Sequence, residues 1–132
     1  MNKLFVLLIC LAIAGRARSQ ATGPVIAWEK QTHDFGDIVQ GDKVEHTFKF
    51  KNTGSEALVI TNVQVTCGCT TPKGWARDPI ASGQSGEITI SFNSLGKYGK
   101  QEKVVTILSN AANPEGAQIL FSANVIEKKT PN

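Results

Sequence analysis

The sequence is short of cysteine, of long apolar runs and of net charge, and each shortage removes a class of protein. Of three cysteines in 132 residues, Cys10 falls in an N-terminal apolar run, leaving Cys67 and Cys69. Two thiols are too few for the disulfide framework of a small secreted scaffold, so a hydrophobic core has to hold the fold. The apolar run, Leu4 to Ala14, has 11 residues, against the roughly 20 that a helix needs to cross a bilayer. No second run follows it, so no stable membrane span is expected in the mature chain.

Met1-Asn2-Lys3 before that run and the small-x-small Ala17-Arg18-Ser19 after it make a secretory signal of residues 1–19. The product is expected to be exported: periplasmic, secreted or on the cell surface. Leu7-Leu8-Ile9-Cys10 has the outline of a lipoprotein site, but branched Ile9 stands where a small residue is usual. Cys10 is therefore read as an apolar residue of a discarded signal. Cleavage removes Lys3, Arg16 and Arg18, which takes the basic count from 14 to 11 against 11 acidic residues. The formal charge of +3 vanishes with the signal, and nucleic acid drops out as a partner.

Catalytic motifs are also missing. Gly83-Gln84-Ser85-Gly86 lacks the spacing and the strand-to-helix context of a nucleophile elbow. There is no phosphate-binding glycine loop, no H-E-x-x-H and no paired-carboxylate arrangement. Asp34 and Asp37 read as turn residues. The chain is expected to be no enzyme and to hold no cofactor. No window of 11 or more mature residues keeps a 3.6-residue apolar period, which argues against a long helix.

What the chain does have is alternation. Val44, His46, Phe48 and Phe50 alternate with Glu45, Thr47, Lys49 and Lys51, the period of a strand with one buried face. Asn52-Thr53-Gly54-Ser55 then makes a turn. In the next run, Ala57 to Thr66, the apolar parity switches at Thr61-Asn62, so a bulge there is predicted to keep one face inward. It would place Cys67 and Cys69 on the inner face at the far end of that strand. Ile88 to Phe92 and Ile119 to Val125 alternate cleanly. Lys103 to Leu108 is apolar on both parities, as in a central strand or one with an exposed apolar edge. Val25 to Trp28 and His33-Asp34-Phe35 complete the set. The turn clusters between them (Phe35 to Ile38, Ile80 to Gly86, Asn93 to Gly96, Asn110 to Gly116) have the spacing of a sandwich. About 113 residues make one domain, 20–126, with a polar tail, 127–132, expected to fray.

Phe35-Gly36-Asp37-Ile38, Gly41, the run His46 to Gly54, Leu58-Val59-Ile60, Cys67-Gly68-Cys69-Thr70, Pro79-Ile80 and Ser109-Asn110 together resemble a secreted bacterial family of unknown function, common in Bacteroidetes envelopes. That family looks related to the abnormal-spindle and hydin-type immunoglobulin-like domains. The resemblance covers about residues 28 to 126. It departs from the family's usual Pro-Ile-x-Pro-Gly turn only in Ser82, which replaces the second proline. It implies an all-β fold, a seven-stranded immunoglobulin-like β-sandwich, and no assigned activity.

Four places carry chemistry. Cys67 and Cys69, two apart on an extended strand, would have Cα atoms roughly 6.6 Å apart, at the upper limit for a disulfide. Gly68 is expected to bend the chain and bring the sulfurs together. The pair is read first as structural, buried or locally disulfide-bonded; closing so small a ring contributes only about 1.6 kcal/mol, which makes a poor staple, and the bond, if it forms, is expected to be redox-labile. The same two thiols, with His33 or His46 as a further donor, are candidate ligands for a soft ion such as Cu(I). His46 otherwise reads as a core residue and His33 as a surface one. Trp75 and Arg77, in a loop after Cys69, are either a partner-binding anchor or a lid over the sandwich end.

The expectation is a non-enzymatic domain that binds another envelope protein or a glycan. Its contact would be the loop after Cys69 or an exposed strand edge. The rival is a thiol-based role, metal handling or a redox relay, at Cys67 and Cys69.

Overall fold

Alternation in the sequence becomes eight strands in two facing sheets. The structure, a computed structural model, describes residues 22–128. The expected signal peptide with its cleavage site, and residues 129–132 of the tail, lie outside the described residues. The strands are β1 (Ile26–Trp28), β2 (Thr32–Val39), β3 (Lys43–Asn52), β4 (Ile60–Val65), β5 (Thr70–Gly74), β6 (Ser85–Asn93), β7 (Gly99–Ser109) and β8 (Gln118–Ile126). The first sheet has the order β1-β3-β6-β5 and the second β2-β8-β7-β4. The only helical turn among the described residues is a 3-10 turn at Pro114–Gly116.

The N-terminal strand is thus divided between the sheets. β1 runs antiparallel to β3, whereas β2 crosses over and runs parallel to β8. Inward side chains of β3 and β6 (Phe48, Phe50, Ile88, Ile90, Phe92) meet those of β7 and β8 (Val105, Ile107, Ile119, Phe121, Val125) in one continuous core. β7 is an inner strand of its sheet, between β8 and β4, and buries only one face, which leaves Leu108 exposed on the outer side. The bulge predicted in β4 is present as a register shift between Ile60 and Asn62, and Ile60 and Val63 are both buried.

Two assignments need correction. Phe35-Gly36-Asp37-Ile38 is not a turn. β2 runs straight through it, with a bulge between Asp34 and Asp37 where Gly36 takes φ 71° and donates its N–H to Asp34 Oδ1 at 2.8 Å. Glycine serves a bulge and a turn equally well, so its presence alone does not distinguish them. The expected loop after Cys69 begins with β5, an eighth strand beyond the seven expected. Thr70-Thr71-Pro72-Lys73-Gly74 has no apolar alternation, and it forms a strand because β6 presents an open edge to it.

At one end of the sandwich the chain depends on Asn52, which is 0% exposed. Its Oδ1 accepts the N–H groups of Val25 (3.2 Å) and Gly54 (3.0 Å). Its Nδ2 donates to the carbonyls of Glu56 (2.8 Å) and Ile80 (2.9 Å). All four bonding directions of the amide are used, so Asn52 is a structural residue and not only the first residue of a turn. Asn52→Ala takes the side-chain partner from the N–H groups of Val25 and Gly54 and from the Glu56 carbonyl, while Ile80 O keeps the Leu58 N–H at 2.8 Å, and should cost about 3 kcal/mol. Urea unfolding measures this, and a loss below about 1 kcal/mol contradicts the role given to Asn52.

Candidate functional site

Cys67-Gly68-Cys69-Thr70 is the corner where the chain leaves β4 in the second sheet and enters β5 in the first. The cysteines were expected on the inner face of a strand, but β4 ends at Val65 and both lie half-buried in a turn closed by Thr70 N–H to Cys67 O at 3.1 Å. The turn brings their Cα atoms to 5.2 Å, and the sulfurs are joined as a disulfide. Cys69 packs against the core, and its N–H donates to Cys67 Sγ at 3.0 Å. Gly68 does not take a left-handed backbone, and a Cβ there would meet nothing within 4 Å. The bend therefore does not come from glycine's special freedom, contrary to expectation.

Other connections meet at the same end. Asn93 N–H donates to Cys69 O at 2.8 Å, which ties the corner to the end of β6. The next residue, Ser94, is fully buried. Its Oγ accepts Gly41 N–H at 2.9 Å and donates to Asp42 O at 2.8 Å, locking the β2–β3 turn to the β6–β7 loop. Gln40 Nε2 adds a bond to Lys97 O at 2.9 Å. From this braced loop Leu95 and Tyr98 project into solvent, 72% and 70% exposed. Val39 and Ile126, paired in register, are exposed at the same end, where Gly99, next to Tyr98 in the chain, pairs with Val125, next to Ile126. Leu95 stands in the turn cluster Asn93 to Gly96 and Tyr98 two residues beyond it, and two large apolar residues among Asn, Ser and Gly were the signal that could have marked them.

The gaps between the sheets are closed by rings. His33 of β2 was expected on the surface, yet it stacks on His46 of β3 with ring centres 3.6 Å apart and planes 9° from parallel. Phe35 packs edge-on against His33 and Phe48 against His46. Burial in this gap lowers the pKa of His33 below its ordinary value; Asp34 opposes the shift and Lys30 adds to it. His46 is lowered first by burial, then by the charges of His33 and Lys30. Trp75 folds back against the core with Arg77 4.0 Å over its ring, and its indole N–H is buried with no partner among the described residues. The indole is thus partly buried against the core, and Arg77 is exposed.

The structure does not gather the candidate metal ligands. His46 faces rings, while Cys67 and Cys69 lie beside Asn93 and Thr70. Among the described residues no group of three or more His, Cys, Asp or Glu side chains is placed to hold a metal ion.

The two sheets, the divided first strand and the parallel pairing of β2 with β8 define an all-β sandwich of the immunoglobulin-like, PapD-like kind. The chain belongs to the family described as protein of unknown function (DUF1573), whose profile matches residues 26–125. No curated protein matches the sequence. It is similar to a protein of unknown function from Porphyromonas gingivalis W83, with 18% identity and a TM-score of 0.67 over 82% of this chain and 50% of that one. The ASH/PapD-like domain 7 of human CEP192 shares 11% identity, with a TM-score of 0.59 over 79% of this chain and 87% of that one. The YadV chaperone shares 14%, with a TM-score of 0.54 over 80% of this chain and 54% of that one. These likenesses show the fold, and the chain spans about half the length of the Porphyromonas protein.

Two outcomes follow. Gly68→Ala should leave stability unchanged or raise it by about 0.4–1 kcal/mol, because the alanine fits without strain and stiffens the unfolded chain; a clear loss in urea unfolding would contradict the geometry. Because both histidines have folded pKa values below the unfolded 6.5, the unfolded state binds more protons as pH falls. Stability is full above that value and declines below it as the folded values are crossed. His46→Phe keeps a ring in the gap and should flatten the decline in unfolding midpoint with pH; an identical decline in both proteins contradicts the stacked pair as its source.

Proposed function

We propose that this domain is a non-enzymatic binding module of the cell envelope, exported by its N-terminal signal, whose ligand is another protein. The observation that carries this reading is the set of exposed apolar side chains, Leu95, Tyr98, Val39 and Ile126, at one end of the sandwich. Apolar side chains of this size on a loop are costly to leave in water, and here buried Ser94 and Gln40 hold that loop in place. A fixed aromatic on such a loop has the character of an interface anchor. The outer face of the first sheet, by contrast, presents Glu45, Thr47, Lys49, Lys51, Glu87 and Thr89 and bears no large apolar residue.

The β6–β7 loop is the contact rather than the loop after Cys69, whose Trp75 packs partly buried against the core. The YadV chaperone and the PapD-like domain of CEP192 share this fold, and a chaperone is by its name a protein that engages others. A glycan ligand has less support, because the exposed set holds one aromatic ring among three aliphatic side chains.

The double variant Leu95→Glu, Tyr98→Ala should keep the wild-type unfolding midpoint to within about 0.5 kcal/mol, since neither side chain is buried. In cross-linking on whole cells it should lose the protein adduct that the wild type forms. An adduct retained at wild-type yield places the contact elsewhere.

A further inference from the structure

The disulfide corner is separate from the features that hold the fold. The core runs through the middle of the sandwich, Asn52 secures the opposite end, and the ring between Cys67 and Cys69 spans only three residues. The stabilisation a cross-link gives grows with the loop it closes, so this one constrains very little of the unfolded chain. A bond with so small a structural role can be opened and closed without unfolding the domain.

We propose that Cys67 and Cys69 are a thiol–disulfide exchange site that accepts two electrons from a dithiol, with Cys69 the sulfur attacked and Cys67 the sulfur that leaves. This goes beyond the binding role and does not depend on it. Two features set the direction. Cys69 lines an open groove of about 300 Å³ on the outer face of the first sheet, together with Lys43, Lys73 and Thr71, so an approaching thiolate meets a surface bearing two lysines, one of them paired with Glu45. Cys67 Sγ accepts the Cys69 N–H, and a donor fixed on that sulfur favours its thiolate and makes it the better leaving group.

One thiolate of the dithiol attacks Cys69 Sγ and forms a mixed disulfide. The Cys67–Cys69 bond breaks, and its electron pair leaves on Cys67, which takes up a proton. The dithiol's second thiolate attacks its own sulfur in the mixed disulfide and expels Cys69 as a thiolate, which is protonated in turn. The dithiol ends as a disulfide and the protein as two thiols, with two electrons and two protons transferred.

The corner also joins β4 to β5, and β5 is an edge strand that pairs only with β6 across a register shift and contains Pro72, which has no N–H to give. Opening the disulfide therefore loosens the connection between the two sheets at one edge and leaves the rest in place.

The test uses the full chain in mixtures of reduced and oxidised glutathione, quenched with acid, alkylated and read by mass spectrometry, with circular dichroism in parallel. The expected result is a reversible two-electron transition in mixtures that leave a long-loop structural disulfide oxidised. The far-UV spectrum should not change, and the single glutathione adduct should map to Cys69. At neutral pH the free Cys67 of a Cys69→Ser variant should alkylate about tenfold faster than the free Cys69 of a Cys67→Ser variant. A disulfide that stays oxidised in the most reducing mixture, or whose reduction unfolds the domain, overturns the proposal. An adduct on Cys67, or equal alkylation rates, overturns the assignment of attacked and leaving sulfur.

Discussion

One buried amide sets the geometry of this sandwich. Asn52 sits at the end of β3, and its four hydrogen bonds reach the chain entering β1, the turn after β3 and the segment that leads into β6. An amide with no exposure and no spare valence admits one arrangement of those segments, because any other leaves a buried polar group without a partner. With that end fixed, Phe48 and Phe50 of β3 are registered against Ile88 and Gly86 of β6. Gly86 is glycine for the same reason, since a Cβ there would collide with the Phe50 ring.

The opposite end is organised differently. Ser94 is also buried, but it braces loops and not strands, and what it holds out is apolar side chain and a small disulfide ring. Between the two ends the open edges of the sandwich are stopped with rings: His33 on His46 at one place and Trp75 under Arg77 at another. Stability is thus concentrated in the core and the Asn52 end, and exposed chemistry at the Cys67–Cys69 end. Binding loops and exchangeable bonds belong where the free energy of local opening is low.

The parts of the fold that follow period-2 alternation were legible in the sequence. β3, β6 and β8 could be read directly, and the change of parity at Thr61-Asn62 located the bulge in β4. The features that escaped depend on a neighbour that sequence order does not reveal. β5 is a strand only because β6 offers it an edge. Gly36 bends a strand that continues, because β8 runs beside it on both sides of the bulge. His33 looked like a surface residue because its stacking partner is 13 positions away in the other sheet. Asn52 looked like turn chemistry, since Asn52 and Gly54 both suit a tight turn, and its burial comes from Ile80 and Val25 folding over it. The cysteines were recognised as the chemical feature of the chain, but parity carried them too far inward. The strand ends two residues before Cys67, and the turn takes both thiols toward the surface.

The domain's integrity and its exposed chemistry thus occupy opposite ends of one sandwich, and amide hydrogen exchange compared between the oxidised and the dithiol protein tests this. Reduction should speed exchange at residues 66–74 and 93–98 while the amides of Val25, Gly54, Ile80 and the β3 and β6 core keep their protection. Loss of protection throughout both sheets on reduction would contradict it, since the disulfide would then be part of what holds the fold together.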